Sequence, residues 1–462
     1  MKTLVIIGAG FSGAVTAAQF LRHSPPDTRV VLINRSGAMA RGLAYGTNSS
    51  LHLLNVPAGN MSAYVDDPDH FLRFCQAQDS AFVASSFVPR KIYGDYLACV
   101  LDEAEELARA DVKLERVISE VNSLRPEGAG AVLELSNGQQ IRADQVVLAF
   151  GNFSPLDPPG FGPSLGDRYQ SDPWSVEDMR TTDQESPILL IGAGLTALDV
   201  SLGLLQQGHR GPIYMISRRG LRPLPHRPQR SPHEISAMIA KRLLESAPSV
   251  RRYMRVMRDE INLSKSQGLD WRDLLAAMRS ITSTLWTRLP DVERRRFLRH
   301  VQPYWDIHRH RVAPAAYLGF EAALNASQVR LMAGRIKTVT PKATGLTIGF
   351  ESREGQQLSY IDVTRVINCT GPSTNLARVN DKLIEQLRDS GLILPDALGL
   401  GLKLSERFVV KDINSHAVPW LNYIGPMLKA DLWEATAVPE LRQFAKALAL
   451  RLAELMNPSS HP

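Results

Sequence analysis

Two glycine-rich segments, residues 8–13 (GAGFSG) and 192–197 (GAGLTA), have the residue types and spacing that bind the diphosphate of a dinucleotide. The first glycine of such a segment permits a tight turn, the second lets the backbone approach the phosphates, and the third small residue lets a helix pack closely against a strand. The helix N-terminus then faces the phosphates with its partial positive charge. The positions expected to contact the two nucleotides are Gly8, Gly10, Ser12, Gly13, Gly192, Gly194 and Thr196.

The residues after the second predicted strand of each copy differ, and they predict different cofactors. In the first copy Asn34 and Arg35 stand where an Asp or Glu usually holds the ribose hydroxyls, which leaves the identity of that cofactor open from these residues alone. The second copy has Ser217, Arg218 and Arg219 at the equivalent place. Because guanidinium groups form bidentate hydrogen bonds with phosphate, this site is predicted to prefer NADPH to NADH. The alternative is that Arg218 and Arg219 belong only to a surface turn.

Regular elements must present these turns, and the sequence predicts a β-α-β unit around each. In both copies a short apolar run precedes the glycines, a helical pattern follows, and a second apolar run comes next. Two further strand-like runs end near Gly151 and Gly371, where a chain would cross between two domains. The predicted fold class is α/β, with two Rossmann-like dinucleotide-binding domains.

Composition narrows the class of protein. The chain has 462 residues, of which 44% are apolar, enough for two or three packed domains. Its three cysteines are too few for a disulfide framework, which is typical of proteins in the reducing cytoplasm. They also form no C-x-x-C pair, which disfavours a dithiol relay. No run reaches the roughly 18–20 apolar residues of a membrane span, so no integral membrane association is expected.

Positive charge is concentrated in residues 218–311, which contain 21 Lys and Arg against 9 Asp and Glu. This segment does not fit a minimal dinucleotide fold, and its apolar residues recur at helical spacing, so we predict a basic helical insertion at about 232–311. Such a charge can indicate nucleic-acid binding, but the sequence has no recognised nucleic-acid-binding motif, so no nucleic-acid partner is expected. The alternatives are a solvated helical face or a field that attracts an anionic cofactor and substrate.

Five further segments, distributed over nearly the whole chain, carry a family resemblance. They are residues 42–47 (GLAYGT), 52–62 (HLLNVPAGNMS), 194–199 (GLTALD), 304–311 (YWDIHRHR) and 433–440 (WEATAVPE). With them the sequence resembles two-domain flavoproteins, and most of all the FAD–NAD(P)-binding proteins related to amino-acid N-hydroxylating monooxygenases. The resemblance implies FAD at the first turn and NADPH at the second. It also implies a discontinuous FAD domain at residues 1–180 and 368–462, with the NADPH domain inserted at 181–367.

The resemblance also implies roles for individual residues. Asn55, Met61 and Ser62 would lie beside the flavin ring or its ribityl chain, although a plain structural loop is an equal alternative. Trp433 and Glu434 would lie near the cofactor, just before a helix whose first turn holds Pro439 and Glu440 and whose N-terminus would point at the flavin.

The end of the insertion is dense in cationic residues. Arg309 or Arg311 is a candidate to hold a substrate carboxylate, and the alternative is a charged helix end docked by Trp305. His308 and His310 have no third ligand in view, so no metal is expected.

The activity implied by the resemblance is monooxygenation. NADPH would reduce FAD, O₂ would add to give a flavin hydroperoxide, and the amine of an amino acid or similar small molecule would attack it. One alternative is a reductase that passes electrons to a quinone, a disulfide or a protein carrier without oxygen insertion. Another is a redox sensor that holds FAD and NADP without turnover.

Overall fold

The computed structural model describes residues 1–47, 49–174, 183–227, 236–268, 270–355 and 357–457. The strands are β1 (Lys2–Ile7), β2 (Thr28–Asn34), β3 (Lys113–Ile118), β4 (Val121–Glu127), β5 (Gly130–Leu135), β6 (Gln140–Ala143), β7 (Gln145–Leu148), β8 (Tyr169–Gln170), β9 (Ile188–Ile191), β10 (Ile213–Ser217), β11 (Val329–Lys342), β12 (Gly345–Ser352), β13 (Leu358–Val363), β14 (Arg365–Asn368), β15 (Val409–Lys411) and β16 (Ala417–Tyr423).

The helices are α1 (Phe11–His23), α2 (Gly42–Tyr45), α3 (His70–Gln78), α4 (Arg90–Glu106), α5 (Leu195–Gln206), α6 (Ser236–Glu245), α7 (Val250–Ser266), α8 (Trp271–Ala277), α9 (Thr282–Arg288), α10 (Asp291–His300), α11 (Gln302–Arg309), α12 (Pro314–Asn325), α13 (Lys382–Asp389), α14 (Lys429–Leu432) and α15 (Val438–Met456). None of these helices is long and apolar enough to cross a membrane.

The first sheet has the order β15-β16-β7-β1-β2-β3, with β1 paired in parallel to both β2 and β7. Leu4, Val5 and Ile6 of β1 are fully buried because the central strand of a parallel sheet is covered on both faces. Helices α1, α4 and α15 supply the core on one face. The small antiparallel sheet β4-β5-β6 and helix α13 supply the core on the other. This unit is discontinuous in sequence, because β15, β16 and α15 return to it from the end of the chain.

The second sheet has the order β13-β12-β11-β10-β9-β14-β8 and is built around the second glycine segment. Strands β9, β10, β11 and β14 are parallel, and β11 continues into an antiparallel ladder with β12. Helices α5 and α12 cover one face. The sequence thus folds as the predicted pair of Rossmann-like α/β units.

The sequence predicts the first crossover near residue 180, and part of the chain before that residue packs with the second unit. Strand β8 pairs with β14 of the second sheet, and Phe161, Leu165 and Tyr169 pack into the core of the second unit. The apolar side chains of residues 161–169 therefore favour a division before Phe161, which the sequence does not predict because β8 has only two residues. The other predicted boundaries remain proposals.

Helices α6 to α11 form the insertion, with a small core of their own that includes Ile239, Leu243, Leu274 and Met278. A second cluster joins the insertion to the first unit and includes Trp286 and Trp433. The insertion therefore lies against the segment that leads into α15.

Candidate cofactor and substrate site

The first glycine turn has space for a backbone but not for side chains. Gly8, which follows β1, has φ +105°, and a Cβ there would lie 2.6 Å from the carbonyl oxygen of Ala149. A Cβ on Gly13 would lie 1.9 Å from the carbonyl oxygen of Gly8. Gly10 caps α1 without a side-chain hydrogen bond, so the first-turn N–H groups receive no side-chain cap. This arrangement fits a diphosphate at the helix N-terminus.

The second glycine turn repeats this geometry. Gly192 has φ +116°, and a Cβ there would lie 2.4 Å from the carbonyl oxygen of Cys369, which follows β14 as Ala149 follows β7. Gly194 caps α5 without a side-chain hydrogen bond, and a Cβ on it would meet nothing within 4 Å. Ala197 is fully buried, while Thr196 is half-buried in the first turn of α5. Both turns therefore fit a dinucleotide.

Gly42 is a part of the first site that the sequence did not assign. It has φ +56°, and a Cβ on it would lie 3.0 Å from the Cα of Gly10. The start of α2 therefore approaches the first glycine turn backbone to backbone. Only its glycine content within the segment 42–47 could have suggested this contact.

The polar residues predicted for the first site are engaged within the protein. The Asn34 amide donates to the Ser36 hydroxyl and to the Ala38 carbonyl at 3.1 and 2.9 Å. Arg35 forms an ion pair with Asp381 at 3.0 Å. Ser12 is buried in α1. Contacts of these three side chains with a nucleotide stay predictions.

Gly151 and Gly371 lie just beyond the ends of β7 and β14, at the two crossovers. A Cβ on either glycine would meet nothing within 4 Å, and Gly371 has φ +91°. Their positions at the carboxyl ends of central strands are those at which ligands of open α/β sheets bind.

The loop expected at the flavin is held by its own residues. The Ser62 hydroxyl donates to the Asp67 carbonyl at 2.6 Å, and Met61 is buried in the core of the first unit. Nε2 of His226 and the carbonyl oxygen of Asn55 are 2.9 Å apart. Burial lowers the pKa of His226 to about 4, so its neutral ring donates this bond. Ser62 and Met61 therefore hold this loop in place, and contact of Asn55, Met61 or Ser62 with the flavin stays a prediction.

The end of β10 places the phosphate-binding candidates in three different surroundings. The Ser217 hydroxyl accepts a hydrogen bond from the Gly220 backbone at 3.0 Å. Arg219 donates to the carbonyl oxygen of Arg299 at 2.9 Å. Arg218 is exposed and forms no ion pair with the part of the chain that the structure describes. Its guanidinium is therefore available to an anion.

Trp433 and Glu434 contact the insertion. The Trp433 ring, 5% exposed, lies between Trp286 and Phe297 at centroid distances of 4.7 and 4.9 Å. The Glu434 carboxylate forms an ion pair with Arg309 at 3.0 Å. These contacts give both residues a part in docking the insertion, and contact with the cofactor stays a prediction.

The first turn of α15 is also held by an ion pair with the insertion. Glu440 forms a bidentate ion pair with Arg279 of the insertion. Pro439 and Glu440 do open the helix, as the sequence predicts. The carboxylate suits a helix N-terminus, and the arginine holds it there.

Arg311 differs from its neighbouring arginines. Arg227 pairs with Asp273, Arg272 with Asp270, and Arg309 with Glu434. Arg311 is half-buried and has no ion pair among the described residues, and its buried Nε has no hydrogen-bond partner there. Burial, together with the charges of Arg309, Arg272 and Arg227, lowers the pKa of Arg311 to about 10, while the nearby Asp270 carboxylate acts in the opposite direction. The cluster thus holds one uncompensated cation, which fits one anionic group.

The two histidines of this segment do not converge on a metal site. Nδ1 of His308 lies 2.7 Å from the carbonyl oxygen of Tyr304, within the same helix. Within the described ranges, no group of three or more His, Cys, Asp or Glu could hold a metal ion.

A buried ion pair joins the two units, and the sequence did not predict it. Arg90 at the start of α4 donates to Asp199 of α5 at 2.7 Å, and to the Leu53 carbonyl at 3.1 Å. The two side chains are 17% and 9% exposed. Asp199 belongs to the segment 194–199 that carried the resemblance, but its partner is 109 residues away.

Replacing Arg90 with methionine is expected to destabilise the folded protein by about 3–5 kcal/mol, because the Asp199 carboxylate would stay buried without its partner. The shift of the urea unfolding midpoint measures this loss. The double variant Arg90→Met/Asp199→Leu should recover part of it, and an equal loss in the double variant would contradict the assignment.

Comparison with known proteins agrees with this geometry. Residues 5–153 match the family model described as FAD-NAD(P)-binding. No curated protein sequence matches the chain significantly.

Solved structures match over almost the whole chain. The ornithine hydroxylase of Pseudomonas aeruginosa is 15% identical with a TM-score of 0.61, over 98% of this chain and 99% of its own. The cadaverine monooxygenase of Erwinia amylovora, solved with FAD, is 13% identical with a TM-score of 0.62, over 99% and 95%. The bacillithiol disulfide reductase of Bacillus cereus is 13% identical with a TM-score of 0.52, over 98% and 99%.

At these identities the likeness shows the fold, which monooxygenases and reductases share. Residues 5–153 form an FAD-NAD(P)-binding domain, and the whole chain has the fold of a two-domain flavoprotein similar to the N-hydroxylating monooxygenases.

Proposed function

We propose that this protein is an NADPH-dependent flavin monooxygenase that hydroxylates the amine of a small molecule carrying one carboxylate. The observation that carries the substrate class is Arg311, the half-buried arginine of its cluster that has no ion pair among the described residues. FAD would occupy the first glycine turn and NADPH the second. When bound, FAD would supply the redox chemistry by which electrons from NADPH reach O₂.

The protein's own residues would bind, orient and shield the substrate. Arg311 would pair with the substrate carboxylate by a charge-assisted hydrogen bond. Arg309 is the other candidate that the sequence offers. It would act indirectly, because the Glu434 carboxylate already neutralises its charge. Trp286 and Phe297 pack around Trp433 and would keep water from the segment before α15.

The contacts between the units support a closed working arrangement. Arg90–Asp199 joins them on one side, and Arg309–Glu434 and Arg279–Glu440 join them through the insertion. These pairs would hold the two nucleotides in one relative position throughout the reaction. We place the protein in the reducing cytoplasm, where its three free cysteines would stay reduced.

Assaying NADPH oxidation against hydroxylated product tests this proposal. The holoenzyme should form oxygenated product from L-ornithine or L-lysine more efficiently than from putrescine or cadaverine, the diamines that lack the carboxylate. Steady anaerobic turnover with a quinone or disulfide, and no oxygenated product in air, would instead indicate the reductase. A bound flavin that NADPH does not reduce would indicate the redox sensor.

A further inference from the structure

The end of β10 is surrounded by cationic residues from three parts of the chain. Arg218 and Arg219 follow β10 directly. Arg353 follows β12, and its backbone N–H donates to the carbonyl oxygen of Ala333 at 3.0 Å. Ala333 is the register partner of Ser217 in the neighbouring strand β11. Arg353 therefore lies at the same carboxyl edge of the sheet as the two arginines of the turn.

Tyr304 of the insertion joins this group. The Arg219 guanidinium lies over the Tyr304 ring at 5.1 Å, and Arg219 is fixed from behind by the carbonyl oxygen of Arg299 at 2.9 Å. The cationic side chains of Arg219 and Arg353 lower the pKa of the Tyr304 phenol. The phenol thus lies beside an arginine of the turn and is influenced by an arginine 134 residues later in the sequence.

The charge at this edge is not neutralised by the protein. None of Arg218, Arg219 and Arg353 forms an ion pair with an acidic residue in the described ranges, whereas Lys337 and Lys342 of the same sheet each do. Three arginines and two hydroxyl-bearing residues, Ser217 and Tyr304, thus lie at the edge of the sheet where the ribose of a nucleotide at the second glycine turn would lie. A doubly charged phosphate is the ligand that such a donor set fits.

We propose that Arg353 and Tyr304 complete the binding site for the 2′-phosphate of NADPH, together with Arg218 and Arg219. Arg353 donates to the phosphate, and Tyr304 holds Arg219 and Arg353 in position and closes the site from the insertion. This inference rests on the proposed use of NADPH, and it adds two specificity-determining residues from outside the β-α-β unit.

The test compares two ligands that differ only by the 2′-phosphate. The FAD-loaded protein is titrated calorimetrically with adenosine 2′,5′-bisphosphate and with adenosine 5′-monophosphate. Arg353→Ala should weaken bisphosphate binding roughly ten- to hundredfold, the loss expected for one charge-assisted hydrogen bond, and leave monophosphate binding unchanged. Tyr304→Phe should weaken bisphosphate binding by roughly three- to tenfold, because a neutral hydroxyl is lost.

Arg330→Ala is the matched control. Arg330 lies at the opposite end of β11 and also stands over a tyrosine, Tyr214, at 5.7 Å. The Arg330→Ala variant should bind both ligands as tightly as the unaltered protein does. A flavin spectrum identical to that of the unaltered protein shows that each variant is folded.

Three results would overturn the inference. Arg353→Ala could bind the bisphosphate normally, it could lose affinity for both ligands equally, or the unaltered protein could bind both ligands equally. Failure of the proposed monooxygenation is a separate outcome. If the protein forms no oxygenated product, but Arg353→Ala weakens binding of the bisphosphate alone, the monooxygenase proposal is refuted. The assignment of the 2′-phosphate site then still stands.

Discussion

The Arg311→Met variant is expected to raise the KM for a carboxylate-bearing amine roughly ten- to hundredfold, since one charge-assisted hydrogen bond is lost. Methionine keeps much of the side-chain volume but removes the unpaired charge of this half-buried side chain. Anaerobic reduction of the flavin by NADPH should proceed as before, because Arg311 lies outside both glycine turns. Steady-state kinetics with L-ornithine or L-lysine, together with stopped-flow reduction, measure the two effects separately.

Two further variants make this prediction specific. Arg311→Lys should restore part of the affinity, since it returns the charge without the guanidinium geometry. Arg258→Met removes an exposed arginine of α7 in the same insertion and should change nothing. A diamine without a carboxylate should respond equally little to every variant. An unchanged KM in Arg311→Met would refute the substrate-binding role, and an equal loss with the diamine would reduce Arg311 to a structural residue.

Alanine at the second glycine of each turn should separate the two cofactors. Gly10 and Gly194 have φ −77° and −86°, which alanine adopts without strain. A Cβ on Gly10 would lie 3.6 Å from the Cα of Gly42, and one on Gly194 would meet nothing within 4 Å. Both variants should therefore fold, but the added methyl would occupy the place of a diphosphate. Gly10→Ala should be purified without FAD, and Gly194→Ala should keep FAD and lose rapid reduction by NADPH.

Gly162→Ala is the control, because a Cβ there also meets nothing within 4 Å and its backbone is extended. It should keep both FAD and rapid reduction. Absorbance at the flavin bands and the rate of bleaching by NADPH measure the two losses. If Gly194→Ala loses FAD while Gly10→Ala retains it, the assignment of the cofactors to the two turns is reversed.

The two glycine turns could be predicted from the sequence because their function is local. Each turn needs small residues at fixed spacing between a strand and a helix, and Gly8 and Gly192 both meet the end of a neighbouring strand. The helical nature of the insertion could be predicted for the same reason, since apolar periodicity is a local signal. The α/β class followed from the repeated unit, although the two-residue strand β8 was too short to be seen.

The assignment of charges within the site could not be predicted, because it depends on long-range pairing. Arg309 and Arg311 are equivalent in the sequence, and only the position of Glu434 neutralises one of them. The resemblance implies that Trp433 lies near the cofactor, and its packing against aromatic residues of the insertion depends on residues more than 130 positions away in the sequence. Arg353 and Tyr304 reach the end of β10 from a turn and a helix that no local pattern connects to it.

The central claim is that this chain holds FAD at its first glycine turn and receives hydride from NADPH at its second. The most direct test is an anaerobic spectrum of the purified protein, followed after addition of NADPH or NADH. The account predicts a yellow protein whose flavin bands bleach within seconds with NADPH and much more slowly with NADH. A colourless protein that takes up no FAD when it is offered, or a flavin that both nucleotides reduce at the same rate, would contradict it.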